Sequence, residues 1–366
     1  MTPTYSEITD YIDETAFYGE NHLVRRMHDT LPLSIITYTP DCQFGKSWNP
    51  ITLNCRGIIF DVVTGELVAR SFPKFFNMNE PCGLTFDELP KSEPYIQEKI
   101  DGSLGIVTKY KGEWLISTKG SFHSDQANYA REYLLPKFTD KLDKIGKDLT
   151  FLCEIIYPEN RIVVNYGGKN TLVIYAVYDG TQELPYNEVL EIAEFIGMET
   201  PKLYTREEVG ENYDKFFDNE EGYVLRWDFP NKETVRIKVK SPSYVLAHRL
   251  FSGVSFARVL DIKREVELVD IPEMVKDVYD DMLAALNTKA EWVRKMVILY
   301  IERLNNEDFK TRKESAIWIQ NSVPRDLHVF CYSYLDGKDP ETLKSKDGYN
   351  LIEKLAVQEL KANGEN

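Results

Sequence analysis

Residues 97–107, QEKIDGSLGIV, set a lysine two positions ahead of an Asp-Gly-Ser turn inside a strand-like run. Tyr95 and Ile96 lead into it, and Leu104, Gly105, Ile106 and Val107 lead out. The stretch reads as strand, turn, strand, with Lys99 where the first strand gives way to the turn. A lysine in that place is either a solvated side chain beside a hairpin or a nucleophile at the mouth of a pocket. The stretch alone is compatible with both, so the decision rests on its company.

Outward from it, short β-branched and aromatic runs alternate with turn signals. ITLNCRGIIFDV is followed by TGE and LVARSF, and LGIVTKY by KGE and WLISTKG. TFLCEII, TLVIYAVY, GYVLRWDF and TVRIKVK continue the series, with helical patterns at about 124–138 and 187–197. That order predicts an α+β domain of antiparallel sheets with flanking helices over residues 1–250. After Pro242 the texture changes. EMVKDVYDDMLAALN, AEWVRKMVILYIERL, FKTRKESAIWIQ and LIEKLAVQELKA place apolar residues at helical spacing, separated by polar joints such as NNED and LDGKDP. An all-α C-terminal domain is therefore expected over 251–366.

A chain of 366 residues is long enough for two such domains. No apolar run approaches the roughly 18 residues that span a bilayer, and the acidic start MTPTYSEITDYIDE does not read as a signal peptide. Five scattered cysteines without a C-x-x-C pair fit free thiols in a reducing cytoplasm better than a zinc site. The net charge of −15 argues against indiscriminate nucleic-acid binding. Residues 241–366 carry only about −3 of it, from 18 Lys and Arg against 21 Asp and Glu. Contact with a polyanion must then come from locally clustered cations.

Such a cluster is visible in the sheet-rich part. CRGIIF carries Arg56, PKFFNMNE carries Lys74 and Phe76, EKIDGS carries Lys99, Asp101 and Gly102, LCEII carries Glu154, and EEGYV carries Glu221 and Gly222. In RIKVK, strand alternation puts Arg236, Lys238 and Lys240 on one face and Ile237 and Val239 on the other. Each piece has a plain structural reading. Lys99 is a solvated lysine, Glu154 half of an ion pair, RIKVK the wet face of an edge strand, and the Phe75–Phe76 pair core. Together they hold a candidate nucleophile, several cations, two carboxylates in apolar surroundings and aromatics able to stack on a base. Attack on a nucleotide α-phosphate needs that combination. Cations and Mg²⁺ neutralise the charge that develops as pyrophosphate leaves, and carboxylates hold the metal or its waters. The attacking amine must be neutral, and lowering a lysine from its reference pKa of about 10.4 to about 7 takes about 4 kcal/mol. Neighbouring cations and partial burial act in that direction.

The ordered set CRGIIF, PKFFNMNE, EKIDGS, STKGS, LCEI, NRIVVNY, EGYV and RIKVKS across residues 34–248 resembles the ATP-dependent RNA ligases of the phage RNA ligase 1 type. These belong to the covalent nucleotidyltransferase superfamily, whose ligase domain is ATP-grasp-like. The resemblance implies that Lys99 becomes adenylylated, and that Tyr38, Arg56, Lys74 and Lys119 contact ATP or its phosphates. Phe76 and Gly102 fall in nucleotide-binding motifs. Glu154 matches the carboxylate that contacts the nucleotide sugar, Glu221 one near the lysine and the metal, and Lys238 and Lys240 the paired phosphate-binding lysines. Tyr244 matches a further position. Glu154 and Glu221 are the implied metal ligands. A more distal acidic ligand falls in LVDIPEMVKD, where Asp270, Glu273 or neither fills the place; Asp270 is the first choice. The resemblance further implies ATP and Mg²⁺ (or Mn²⁺) as cofactors. It also implies RNA with 5′-phosphate and 3′-hydroxyl ends as partner, such as a tRNA nicked in its anticodon loop, and a monomer in the cytoplasm, or in the host cytoplasm if phage-encoded.

Three other readings compete. A DNA ligase or a guanylyltransferase of the same superfamily would continue into a β-rich OB-fold, where this sequence reads helical. A Schiff-base lysine would not require clustered phosphate-binding cations. A non-catalytic ligase-fold protein would be free to lose Lys99, Glu154 or Lys238, all of which are present.

Overall fold

The computed structural model describes residues 2–78, 80–212, 220–230, 232–241, 244, 245, 248, 255–265 and 273–362. The chain divides into two compact units, Met1–Tyr244 and Val245–Asn366.

The first unit opens with helix α1 (Tyr5–Phe17), started by a capping box in which Thr4 and Glu7 satisfy each other's end of the helix. Strands β1 (Leu23–Met27) and β2 (Leu33–Tyr38) follow, then short helices α2 (Pro40–Gly45) and α3 (Pro50–Asn54), then β3 (Arg56–Asp61) and β4 (Leu67–Ala69). The run ITLNCRGIIFDV is thus a strand only in its second half. Asn49 caps the amides of Ile51 and Thr52, and Pro50 sits in the first turn, so local capping turns Ile51–Asn54 into helix despite their β-branched content. The four strands form an antiparallel sheet in the order β1-β2-β3-β4. Alternation gives it two dry faces. Ile36, Ile58 and Phe60 pack with Ile8 of α1, while Leu33, Ile35 and Ile59 face the other way.

The strand β5 (Tyr95–Glu98) ends immediately before Lys99, and β6 (Ser103–Tyr110) begins just after Gly102. β6 turns through Lys111 and Gly112, both at positive φ, into β7 (Glu113–Thr118). The helical pattern at 124–138 is less regular than its periodicity predicts. It consists of α4 (Asp125–Tyr129), a π turn over Ala130–Leu134 and a 3₁₀ turn at Leu135–Lys137, where Pro136 cannot donate to the ladder. α5 (Thr139–Leu142) leads to β8 (Leu149–Ile156), β9 (Thr171–Asp179), β10 (Gln182–Glu183) and α6 (Tyr186–Ile196), which Gly197 ends in the left-handed conformation.

The second sheet, in the order β10-β9-β8-β6-β7, is buried on both sides. Cys153, Ile155, Leu172 and Ile174 pack with Ala130, Leu134, Val189 and Ala193 of the helical segments. Leu152, Ile156, Val173 and Tyr175 pack with Ile35 and Ile59 of the first sheet. A third sheet has the order β11-β5-β12-β13, with β11 (Leu203–Tyr204), then α7 (Arg206–Asn212), β12 (Gly222–Trp227) and β13 (Val235–Lys240). All its ladders are antiparallel.

The second unit is helical: α8 (Phe256–Glu265), α9 (Glu273–Asn305), α10 (Arg312–Ser322), α11 (His328–Leu335) and α12 (Leu351–Ala362). The fold class is the expected α+β domain of antiparallel sheets followed by an all-α bundle. The two patterns EMVKDVYDDMLAALN and AEWVRKMVILYIERL form one 33-residue helix, since neither Gly nor Pro interrupts them. Among the described residues, no helix is long and apolar enough to cross a membrane.

Candidate active site

Lys99 stands where three elements meet. Its amide donates to Gly222 O of β12 at 2.8 Å. The next two amides, of Ile100 and Asp101, donate to the phenol oxygens of Tyr175 (3.0 Å) and Tyr166 (2.7 Å). The Asp101 carboxylate in turn accepts from the amides of Val163 and Val164 and from the Tyr244 hydroxyl, at 2.8–2.9 Å. The loop is held by its backbone. This leaves the Lys99 side chain to be placed by Glu221, whose Oε2 lies 2.5 Å from Nζ, while Oε1 lies 2.9 Å from Nζ of Lys240.

Two glycines make this approach sterically feasible. A Cβ on Gly102 would sit 2.7 Å from Ile155 O and 2.9 Å from Cγ of Glu154. The small residue of the Asp-Gly turn therefore admits β8 and its carboxylate, a more specific role than giving Lys99 room. Gly222 has φ +131°, and a Cβ there would meet Val239 O at 2.2 Å.

Between the second and third sheets lies a cavity of about 470 Å³. The second sheet offers Glu154 and Tyr175. The third offers Val224 and Lys238, which alternation puts on one face, as Val224 pairs with both Gln97 and Lys238. Arg56, Lys119, Arg236 and Gly102 complete the charged and close-packed part of the lining, with Lys99 beside them. Arg56, Lys99, Gly102, Lys119, Glu154 and Lys238 of the sequence-derived set thus share one cavity.

Tyr38, Lys74 and Phe76 form an adjoining cluster. Lys119 Nζ lies 4.5 Å over the Tyr38 ring, and Lys74 Nζ lies 5.9 Å from Tyr38 and 5.2 Å from Phe76. Trp48 completes it, 5.5 Å from Lys74 Nζ and edge-on to both Tyr38 and Phe76. No motif marks Trp48; its only signal is an aromatic residue in a turn eight residues before Arg56. The segment at Phe76–Met78 is pinned to β13: Lys238 N donates to Phe76 O, and Met78 N donates to Lys238 O. Two distant motifs are thereby joined.

RIKVK divides unexpectedly. Ile237 is buried and the three cations share the other face, as alternation predicts, but Arg236, although it lines the cavity, has its charge paired with the buried Glu183 side chain. Fully buried Arg226 joins the same carboxylate at 3.2 Å and Asp228 at 2.8 Å. Lys238 lines the cavity without a paired carboxylate among the described residues, and Lys240 stands outside the lining, tied to Glu221. Asp270 lies outside the described residues, as does the side chain of Glu273.

The electrostatics are those of an anion site. Burial, then Arg56, Lys74, Lys99 and Lys240, bring Lys238 down to about 6. Burial and Arg56 bring Lys119 down to about 8. Burial pushes the Glu154 carboxyl up to about 8 against the pull of Lys99 and Arg56, with Glu221 and Asp101 adding to the rise. Nη1 of Arg56 is buried and has no hydrogen-bond partner. A polyanion would relieve these strains together, by pairing the guanidinium and stabilising both ammonium groups. Glu154 and Glu221 are the carboxylates at hand, and among the described residues no cluster of three His, Cys, Asp or Glu could hold a metal alone. Mg²⁺ is characteristically bound by one or two carboxylates plus substrate phosphates, so this donor set fits a metal that arrives with a nucleotide.

A lysine on a cavity wall among cations, with a carboxylate on either side, is the arrangement of a covalent nucleotidyltransferase. The family model described as RNA ligase matches residues 54–244, just over half of the chain, and the chain belongs to that family. A candidate RNA ligase of Thermovibrio ammonificans is 29% identical over 215 residues, covering 56% of this chain and 55% of the relative. The chain thus spans about half the length of that relative. The RNA ligase of Rhodothermus phage RM378 is 22% identical over 400 residues, covering 86% of this chain and 87% of its own. Among solved structures, an archaeal ATP-dependent RNA ligase shares the fold with a TM-score of 0.53 at 16% identity, over 91% of this chain and 98% of that one.

Proposed function

We propose that this chain is an ATP-dependent RNA ligase of the phage RNA ligase 1 type. The observation that carries the reading is Lys99 Nζ, held at 2.5 Å by Glu221 beside a cavity lined by Arg56, Lys119 and Lys238. Lys99 Nζ attacks the α-phosphorus of ATP, a P–N bond forms, and the bond to the pyrophosphate oxygen breaks. Glu221 is the nearest base for the amine's proton. Arg56, Lys119 and Lys238 take up the negative charge that builds on the departing pyrophosphate. Glu154 and Glu221 would hold Mg²⁺, which would supply Lewis-acid charge neutralisation at the same place. The AMP then passes to an RNA 5′-phosphate, and an RNA 3′-hydroxyl displaces AMP to seal the strand.

Residues 1–250 serve as the adenylyltransferase domain in this reading and 251–366 as the RNA-recognition domain, with a broken tRNA anticodon loop as substrate and a cytoplasmic monomer as the working form. The helical second unit supports RNA ligation over the DNA-ligase and capping alternatives, which continue into a β-rich domain.

Incubation with Mg²⁺ and α-labelled ATP gives an acid-stable protein adduct that Lys99→Ala abolishes. Supplying 5′-phosphorylated RNA then yields circles. No adduct from ATP or GTP would refute the reading. A GTP-only adduct would assign the chain to the capping class, and sealing of nicked DNA but not RNA would make it a DNA ligase.

A further inference from the structure

The Lys99 loop is fixed through amides that two tyrosines, absent from the sequence-derived site, hold by their phenol oxygens. Tyr175 is the more informative. In the β8–β9 ladder, Cys153 pairs with Ile174 and Leu152 with Ala176, so Tyr175 is the unpaired extra residue of a β-bulge. A bulge re-aims one side chain and is over-represented beside active sites. Here the re-aimed chain crosses from the second sheet to the buried Ile100 amide, 3.0 Å away, and its ring lines the cavity next to Glu154. A phenol hydroxyl accepts from the amide through its oxygen while keeping its own proton. Tyr166 does the same for Asp101 from the far side, lining a second cavity.

Resting on the ligase reading above, we propose that Tyr175, seconded by Tyr166, is a positioning residue for the nucleophile: its phenol oxygen sets the backbone from which Lys99 reaches the α-phosphate. Phenylalanine at 175 keeps the ring and its packing but leaves a buried amide without a partner, which Ile100 escapes only by moving. Displacement by a fraction of an ångström lowers the rate of an in-line attack far more than it alters nucleotide affinity. Sealing of RNA that already carries a 5′-adenylate does not use Lys99 as nucleophile, so it is insensitive to that displacement.

The test is therefore a split between steps. For Tyr175→Phe, lysine adenylylation at saturating ATP is expected to slow by about tenfold or more, with an unchanged apparent KM for ATP. Sealing of chemically pre-adenylylated RNA stays within about twofold of the unmodified protein. Tyr166→Phe gives the same split independently, should the first variant fold poorly. Equal loss in both steps together with a lowered Tm would show a structural role only and overturn the inference, and wild-type adenylylation in both variants would also overturn it. If the unmodified protein forms no adduct, the ligase reading falls and this inference with it, an outcome distinct from an adduct whose rate ignores Tyr175.

Discussion

β12 and β13 carry two clusters of similar composition and opposite purpose. At one end Glu183 sits between Arg226 and Arg236, with Asp228 completing the charge. At the other Glu221 sits between Lys99 and Lys240, with Lys238 close by. The first is sealed: Arg226 is 0% and Glu183 7% exposed, and although burial alone would raise the Glu183 carboxyl, its two arginines hold it below its ordinary value. The second keeps Lys99 18% and Lys240 29% exposed beside the cavity, and its cations outnumber its anions. Balanced charge makes structure, and unbalanced charge makes a site. Planar, always-charged arginine suits the first, and lysine, whose proton can leave, suits the second.

That contrast can be broken at three places, with an exposed ion pair elsewhere as the control. Glu183→Ala takes from buried Arg236 the carboxylate it pairs with, leaves Arg226 with Asp228 alone, and is expected to cost about 3–5 kcal/mol of stability by denaturant titration. A smaller cost would mean that the sealed cluster is not what holds the third sheet. Glu221→Gln leaves stability within about 1 kcal/mol but slows adduct formation about 100-fold, because the base beside Lys99 is gone. Retained activity would move proton transfer to another group.

Lys238→Met should abolish productive phosphate binding and yet raise Tm. The sign follows from linkage. Between about 6, where folded Lys238 titrates, and its ordinary value of 10.5, the unfolded chain holds a proton that the folded chain lacks. Its contribution to stability therefore rises with pH across that window, and the penalty is larger at pH 7 than at pH 9. The gain in Tm from Lys238→Met should shrink accordingly, and a pH-independent gain would assign it to packing instead. Smallest of all, Asp143→Asn breaks an exposed pair with Lys109 and should shift Tm by less than about 2 °C.

Local pattern exposed much of this molecule. Lys99 before its turn, the faces of RIKVK, the half-buried carboxylate at 154 and the all-helical end were readable because alternation and turn chemistry are short-range. The remainder depends on partners distant in sequence. That Arg236 meets the cavity with its charge already paired, whereas Lys238 does not, is decided by Glu183 on a two-residue strand too short to announce itself. Tyr175 looks like any strand tyrosine until the bulge turns it. Gly102 reads as a turn glycine, whereas its size is set by Glu154, 52 positions away along the chain. The helix at 50–54 was hidden under β-branched residues because one asparagine cap outweighed them.

The seam between residues 76–78 and β13 has a consequence for solubility. β13 is the outermost strand of its sheet, and an open strand edge invites pairing with another molecule. Lys238 uses both its amide and its carbonyl on the Phe76–Met78 segment. The loop that carries Phe76 therefore also covers, at Lys238, part of the edge at which copies of this chain would otherwise pair. Substitutions that loosen NMNE should impair catalysis and colloidal behaviour together.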